Sequence, residues 1–376
     1  MTTPAAAWMS AKRILCVRLD SIGDVLMTTP AIRAVKASGI DREITLLTSP
    51  AGASVASLIP CVDEVVVYDA PWLKATNVRV TSAPDHAMIA MLRARQFDAA
   101  IIFTVFSQSA LPAALACFLA DIPLRLAHSR ENPYQLLTTW VPEPEPAAGI
   151  RHEVERQLSL VDRIGCRVAD TRLQLSVPEQ ARADIRSLLC ELGVRDNEPW
   201  FVLHPGASAA SRRYPPDRFA IAARAVADAQ GGHVLVTGDG NESTLIDQVC
   251  AQIGDAAIGL AGKLDLASLA ALIEASPLLI TNNTGPAHIA AAVGTPVVDL
   301  YALTNPQHTP WQVPSRVLSH DVPCRNCFKS VCPQGHNDCL RRIAPFEVAR
   351  AALDLLAERS ADVIAGPADA VELRSR

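Results

Sequence analysis

Short apolar runs alternate with helical patterns along most of the chain. In the first half, runs rich in β-formers fall near 13–18, 43–48, 64–68 and 99–104. In the second half they fall near 200–204 (WFVLH), 233–237 (HVLVT), 257–260, 278–281 (LLIT) and 297–301 (VVDLY). Between them apolar residues recur at helical spacing, as in Val25, Leu26, Ile32 and Val35 and over 217–229 and 265–275. This alternation predicts an α/β protein with parallel sheets covered by helices on both faces. Pro142-Glu143-Pro144-Glu145-Pro146 reads as a stiff, exposed segment before a helix over 151–163. A second break at 193–199 (GVRDNEP) precedes the first strand of the second half. The domain boundary is expected within 175–198, set at 185/186.

The 376 residues are a prior for about two domains, and 49% hydrophobic residues suffice for sizeable cores. A net charge of -5 and 5% aromatic residues argue against a nucleic-acid binder. The opening MTTPAAAWMSAKR has no basic n-region and no apolar core, so no secretory signal is expected. The apolar stretches 99–106 and 110–122 fall short of the roughly 20 residues needed to span a bilayer. They read as a buried strand and a core helix, with a membrane-facing patch as the lesser alternative. Ten cysteines without a signal fit the reduced thiols of a cytoplasmic protein. Cys16, Cys61, Cys117, Cys166, Cys190 and Cys250 are scattered and read as small core residues.

Candidate chemistry gathers where strands hand over to helices, the edge at which open α/β sheets bind ligands. In RLDSIGDVLMTTPAIRAVK (18–36), Asp24 stands at such a handover, directly after Gly23. Its carboxylate can cap the helix or serve as a general base. In HPGASAASRRYPPDRF (204–219), the Gly206, Ala207 and Ser208 amides with Arg212 can hold a diphosphate; the plainer reading is a solvated basic loop. In TGDGNES (237–243), Glu242 can accept ribose hydroxyls, though a simple turn and helix cap is favoured. In TNNTGPAHIAAAVGTP (281–296), Asn283, Thr284 and Gly285 form the turn into a helix whose N-terminus suits an anion, and His288 follows one turn in. Neither GxGxxG after the first strand nor GxxxxGK[ST] occurs, which argues against a Rossmann dehydrogenase and a P-loop NTPase. Cys324, Cys327, Cys332 and Cys339 read C-x2-C-x4-C-x6-C, with His336 between. Such a set suits zinc or an iron–sulfur cluster, or a structural loop of thiols. The loops around 70–86 and 127–140 carry no readable motif, although Arg125, His128 and Arg130 can meet acidic groups.

Taken together, VRLDSIGDVLMTTPAIRAVK, LHPGASAASRRYPPDRFA, TNNTGPAHIAAAVGTPVVDLYALTNPQHTPW and CRNCFKSVCPQGHNDCLRRI resemble glycosyltransferase family 9, the ADP-heptose:lipopolysaccharide heptosyltransferases. The resemblance runs over about 12–357. It implies a GT-B fold of two Rossmann-like domains facing a cleft, with the acceptor-side domain at 1–185 and the nucleotide-sugar domain at 186–345. Residues 346–376 become a helix packing back on the first domain, plus a tail. It implies inverting, metal-independent transfer of heptose from ADP-heptose to a lipid-linked saccharide acceptor, by a cytoplasmic protein in peripheral contact with the inner membrane. Asp24 matches the family's base. Gly206, Ala207, Ser208, Arg212, Glu242, Asn283, Thr284, Gly285 and His288 fall on the donor side, and Gly23 and Arg130 on the acceptor side. Two positions depart from the characterised heptosyltransferases: Arg212 stands where lysine is frequent, and Asn283 where some have aspartate. The resemblance includes the four cysteines but assigns them no metal. The alternatives are a nucleotide-sugar enzyme of another class, such as an epimerase, a different donor sugar, or a non-catalytic binding protein.

Overall fold

The computed structural model describes residues 4–74, 76, 78–195 and 198–369. The tail at 370–376 lies outside them, as do positions 75 and 77 of the 70–86 loop and 196–197 of the 193–199 break. The chain divides into two compact units, one ending at Ser176 and one beginning at Val177.

The first unit runs α1 (Pro4–Ser10), β1 (Arg13–Arg18), α2 (Ile22–Ala37), β2 (Glu43–Thr48), α3 (Pro50–Ala56), β3 (Glu64–Val67), α4 (Ala83–Ala94), β4 (Ala99–Ile102), α5 (Leu111–Leu119), β5 (Leu124–Ser129), β6 (Thr139–Pro142) and α6 (Glu153–Asp162). The second runs α7 (Glu179–Glu191), β7 (Trp200–His204), α8 (Pro216–Gln230), β8 (His233–Gly238), α9 (Ser243–Ile253), β9 (Ala257–Ala261), α10 (Leu266–Ala275), β10 (Leu279–Asn282), α11 (Gly285–Val293), β11 (Val297–Leu300), β12 (Ser315–Leu318), α12 (Asp338–Arg341) and α13 (Pro345–Asp369). Each unit holds one six-stranded parallel sheet, ordered β3-β2-β1-β4-β5-β6 in the first and β12-β11-β10-β7-β8-β9 in the second. Strand order reverses between β1 and β4 and between β7 and β10. The carboxyl ends of those pairs are the switch points at which such sheets bind ligands.

Local chemistry sets these elements. In β1 every residue after Arg13 is buried, as a strand covered on both faces requires. Pro30 lies inside α2 and cannot donate to the Leu26 carbonyl. The Thr29 hydroxyl donates to that carbonyl instead, at 2.7 Å, and itself accepts from the Gln174 amide at 2.9 Å. The helix therefore continues through the proline with its acceptor satisfied.

The structure corrects the sequence reading in several places. The division after Ser176 falls within the expected 175–198, ahead of α7, which a cut at 185/186 would split. β5, β6 and β12 are additional strands, and β5 and β6 take the two ends of the 127–140 stretch read as a loop. In the 142–146 segment the prolines are exposed, but the Glu143 and Glu145 side chains are buried in ion pairs with Arg156 and Arg151. Cys190 is exposed and Cys250 half-buried, unlike the other four scattered cysteines. α5 buries Ala113, Ala114, Ala116 and Cys117 and leaves Leu115, Phe118 and Leu119 exposed. In α13, Val348, Ala352 and Leu355 lie within the second unit's core. Among the described residues no helix is long and apolar enough to cross a membrane.

Candidate active site

In the first unit, the β1–α2 handover places three carboxylates around one arginine. Arg18, at the end of β1, is fully buried. Its Nη2 lies 3.0 Å from Asp24 Oδ1 and 3.0 Å from Glu153 Oε1, and its Nε 3.2 Å from Asp20 Oδ2. Burial works against the Arg18 charge, but Asp20, Glu153 and Asp24 outweigh it and hold the guanidinium protonated. Asp24 stands in the first turn of α2, where Oδ2 accepts from the Ser21 amide at 3.2 Å and hydroxyl at 2.7 Å. The capping reading is therefore realised. The same carboxylate keeps part of its surface open, which leaves the base reading intact. Gly23 beside it is buried.

Asp20 is held from the other loop of the switch point, where Gln108 Nε2 donates to its Oδ1 at 2.6 Å. Burial pushes the Asp20 carboxyl up to about 6, with Arg18 opposing and Asp24 adding to the rise. A cavity of about 280 Å³ adjoins it, lined by Leu19, Asp20, Trp72, Gln108 and Pro112 among others. Arg125 does not serve this site: its guanidinium is buried on the carbonyls of Ile122, Leu136 and Gln135. Arg130 Nη2 donates to the carbonyls of Phe106 at 2.8 Å and Glu145 at 3.1 Å.

In the second unit, Asn282 at the end of β10 ties the switch point together. Its Nδ2 donates to Pro205 O at 2.7 Å and its Oδ1 accepts from the Tyr214 amide at 2.9 Å, so both ends of the 205–213 loop hang on one side chain. Gly206 is buried, and a Cβ there would fall 2.2 Å from Glu242 Oε1, so an added side chain has to displace that carboxylate. Glu242 thus lies directly against the Gly206 backbone while its Oε2 accepts from the Asp239 amide at 3.1 Å. Ala207 is buried, Ser208 is exposed, and the half-buried Arg212 donates to Asn305 Oδ1 at 3.2 Å. Thr284 and Gly285 are partly open at the start of α11, with His288 buried behind them.

Asn283 does not sit on that surface. It is buried, and its Nδ2 donates to Asp299 Oδ2 at 3.3 Å and His308 O at 2.8 Å. Asp299 is also wholly buried, and burial pushes its carboxyl up to about 7.

The cysteine loop braces this cradle. Ser211 Oγ donates to Lys329 O at 2.8 Å, the Ser211 amide to Ser330 O at 3.0 Å, and the Asn326 amide to Leu303 O at 2.7 Å. Cys324, Cys327, Cys332 and Cys339 are half-buried free thiols, with Cys324 Sγ 3.9 Å from His336 Nε2. Burial pushes the Cys339 thiol up, and the other three thiols add to the rise. Among the described residues no three His, Cys, Asp or Glu side chains are arranged to hold a metal ion.

Sequence reasoning missed Arg18, Asp20, Glu153, Asn282 and Asp299. Arg18 carried one signal, a charge closing an otherwise apolar strand.

The model of the family described as glycosyltransferase family 9 (heptosyltransferase) matches residues 86–337. The chain belongs to glycosyltransferase family 9. It is similar to lipopolysaccharide heptosyltransferase 3 of Escherichia coli K12, at 28% identity over 77% of this chain and 82% of that one. Among solved structures, it resembles a family 9 glycosyltransferase from Veillonella parvula, with a TM-score of 0.78, 23% identity and coverage of 92% and 98%. It also resembles the ADP-heptose lipopolysaccharide heptosyltransferase II of Escherichia coli, with a TM-score of 0.72, 22% identity and coverage of 93% and 99%. The fold is GT-B, and this family 9 chain is a glycosyltransferase.

Proposed function

We propose that the chain transfers a heptose from ADP-heptose to a saccharide of the lipopolysaccharide core, with inversion at the anomeric carbon and without a catalytic metal. The observation that carries the reading is the Asp24 carboxylate, held by Ser21 and Arg18 at a switch point with part of its surface open. Asp24 takes the proton of the acceptor hydroxyl as its oxygen attacks the anomeric carbon. The anomeric C–O bond breaks as the new bond forms, and the electron pair leaves with ADP. In the second unit, the amides of the Gly206–Ser208 loop, Arg212 and the Thr284–Gly285 helix start meet the charge growing on the diphosphate. Glu242 accepts from the ribose.

Family membership and the names of the similar proteins support heptose and ADP. A cytoplasmic protein touching a lipid surface fits the exposed Leu115, Phe118 and Leu119. The cysteine loop holds the donor loop in place. The spacing of its thiols is the support for a structural zinc or iron–sulfur centre, and their placement does not form a cage; elemental analysis of the purified chain decides between them.

Calorimetry with ADP, UDP, GDP and ADP-heptose tests the donor. Selective binding of ADP, and tighter binding of ADP-heptose, is expected. Preference for UDP or GDP overturns the donor, and absence of binding to all four overturns the enzyme reading.

A further inference from the structure

We propose that Asn305 is a positioning residue for the donor diphosphate: its side chain, oriented by His308, aims the Arg212 guanidinium at the phosphates. The proposal deepens the donor side of the reading above and rests on it for the task of Arg212.

The segment after β11 forms a block of buried polar side chains, among them Thr304, Asn305 and His308. Arg212 Nη2 donates to Asn305 Oδ1 at 3.2 Å, and the Thr304 hydroxyl donates to the same oxygen at 2.8 Å. Both lone pairs of that oxygen are therefore used. A guanidinium can only donate, so the amide turns its oxygen to Arg212 and its NH2 to His308, whose Nδ1 lies 2.7 Å from Asn305 Nδ2. Nδ1 is then the acceptor, and the His308 hydrogen sits on Nε2. Turned over, the amide would set its NH2 against the guanidinium, donor against donor, and leave no hydrogen for Nδ1. His308 thus fixes which end of the Asn305 amide meets the arginine.

The block is itself held in place. The His308 amide donates to the Tyr301 hydroxyl at 3.2 Å, that hydroxyl donates to the Asn305 carbonyl, and the His308 carbonyl accepts from Asn283 Nδ2 at 2.8 Å. The cysteine loop bridges the two partners. Its Phe328 amide donates to Thr304 O at 2.8 Å, and its Ser330 carbonyl accepts from the Ser211 amide at 3.0 Å. Thr304 precedes Asn305 and Ser211 precedes Arg212, so the backbone on both sides of the bond is anchored to one segment. A guanidinium has five N–H donors, and one bond to Asn305 leaves others for phosphate oxygens. An arginine aimed beforehand loses less rotamer freedom when the ligand arrives. The neutral acceptor matters too. A carboxylate in its place would cancel the charge the phosphates need, whereas an amide oxygen directs the guanidinium and leaves that charge free.

ADP calorimetry on the full chain and a cycle of variants tests the role. Asn305→Ala should weaken ADP about tenfold, the order of one hydrogen bond to a charged group. It should add nothing to the loss in Arg212→Ala, because it acts through that side chain. His308→Leu, which frees the Asn305 amide to turn over, should lose affinity by the same route. His308→Asn, whose Oδ1 can stand near the place of Nδ1, should keep it. Parent-like ADP binding in Asn305→Ala overturns the proposal. So does a loss that persists undiminished beside Arg212→Ala, which is what damage to the fold alone would give. Nitrogen-15 NMR of the ligand-free chain reads the aim itself, with the Arg212 signals assigned by their loss in Arg212→Ala. Guanidinium rotation should be slow in the parent and fast in Asn305→Ala; equal rotation in both overturns the proposal. The expected rotation together with unchanged ADP binding in Arg212→Ala sinks the donor reading of Arg212 and leaves the hold of Asn305 on it standing.

Discussion

Arg18 Nη2 bonds Asp24 Oδ1 at 3.0 Å, and the same nitrogen stands 3.0 Å from the wholly buried Glu153 Oε1. One guanidinium therefore ties the candidate base to a carboxylate that has no access to water. Gln157 Nε2 also donates to Glu153 Oε1, at 2.6 Å, but a neutral amide does not compensate a buried charge. Arg18→Met is expected to cost about 3–5 kcal/mol, because it strands Glu153 without a cation. The double variant Arg18→Met, Glu153→Met should recover much of that loss. Urea denaturation of the single and double variants measures both, and an Arg18→Met chain as stable as the parent would show that the pair does not hold the site.

The same cluster makes stability depend on pH through Asp20. Its carboxyl is raised from the usual carboxylate range to about 6, mainly by burial. A carboxyl raised in the folded state binds more protons there than when unfolded. Its contribution is thus fully present below about pH 4 and is lost as pH rises through about 6. Glu153 adds to the rise, so Glu153→Gln should move the Asp20 midpoint down. Carbon-13 NMR of labelled aspartate carboxyls reads that midpoint directly. An unmoved or higher midpoint in Glu153→Gln counts against the coupling.

Asp24→Asn tests the chemical role. The amide still fits the first turn of α2, so the fold and the affinity for ADP should stay near those of the parent. Transfer should fall by about 10²–10⁴, the usual worth of a general base. Single-turnover rates beside ADP calorimetry separate the two effects. Transfer at the parent rate would return Asp24 to helix capping alone.

What could be read from the sequence follows from how locally each feature is encoded. β1, β2, β7 and β8 are strands because uninterrupted β-formers are buried on both faces, and that pattern shows in the chain. β5 hides because Arg125 and His128 break its apolar run, although both are buried. β6 carries a proline and a largely exposed tryptophan, and β12 is a half-exposed edge strand with Arg316 in it. Asp24 was legible because its handover from strand to helix spans only a few residues. Glu153 reaches Arg18 from α6, beyond the whole sheet in sequence, and nothing in RHEVERQ marks that carboxylate for burial. The inward turn of Asn283 depends likewise on Asp299 of β11, a strand formed later in the chain.

The contact between Gly206 and Glu242 yields the sharpest test of the donor cradle. The three atoms nearest a new Cβ at 206 are the carboxyl end of Glu242, at 2.2–2.5 Å. A flexible side chain can swing away, so Gly206→Ala should fold, with a stability change of about 1 kcal/mol, in the usual range for point changes. The swing takes the Glu242 carboxylate off the position from which, in the proposed reading, it would accept from the ribose, so ADP should bind more weakly. Glu242→Ala should weaken ADP by a similar factor, and the double variant should be no worse than either single one, because both remove the same interaction. Calorimetry over the four chains of that cycle decides it. Additive losses would mean that the Gly206 backbone and the Glu242 carboxylate act on the nucleotide separately, and unchanged binding in Glu242→Ala would remove the ribose from this side chain altogether.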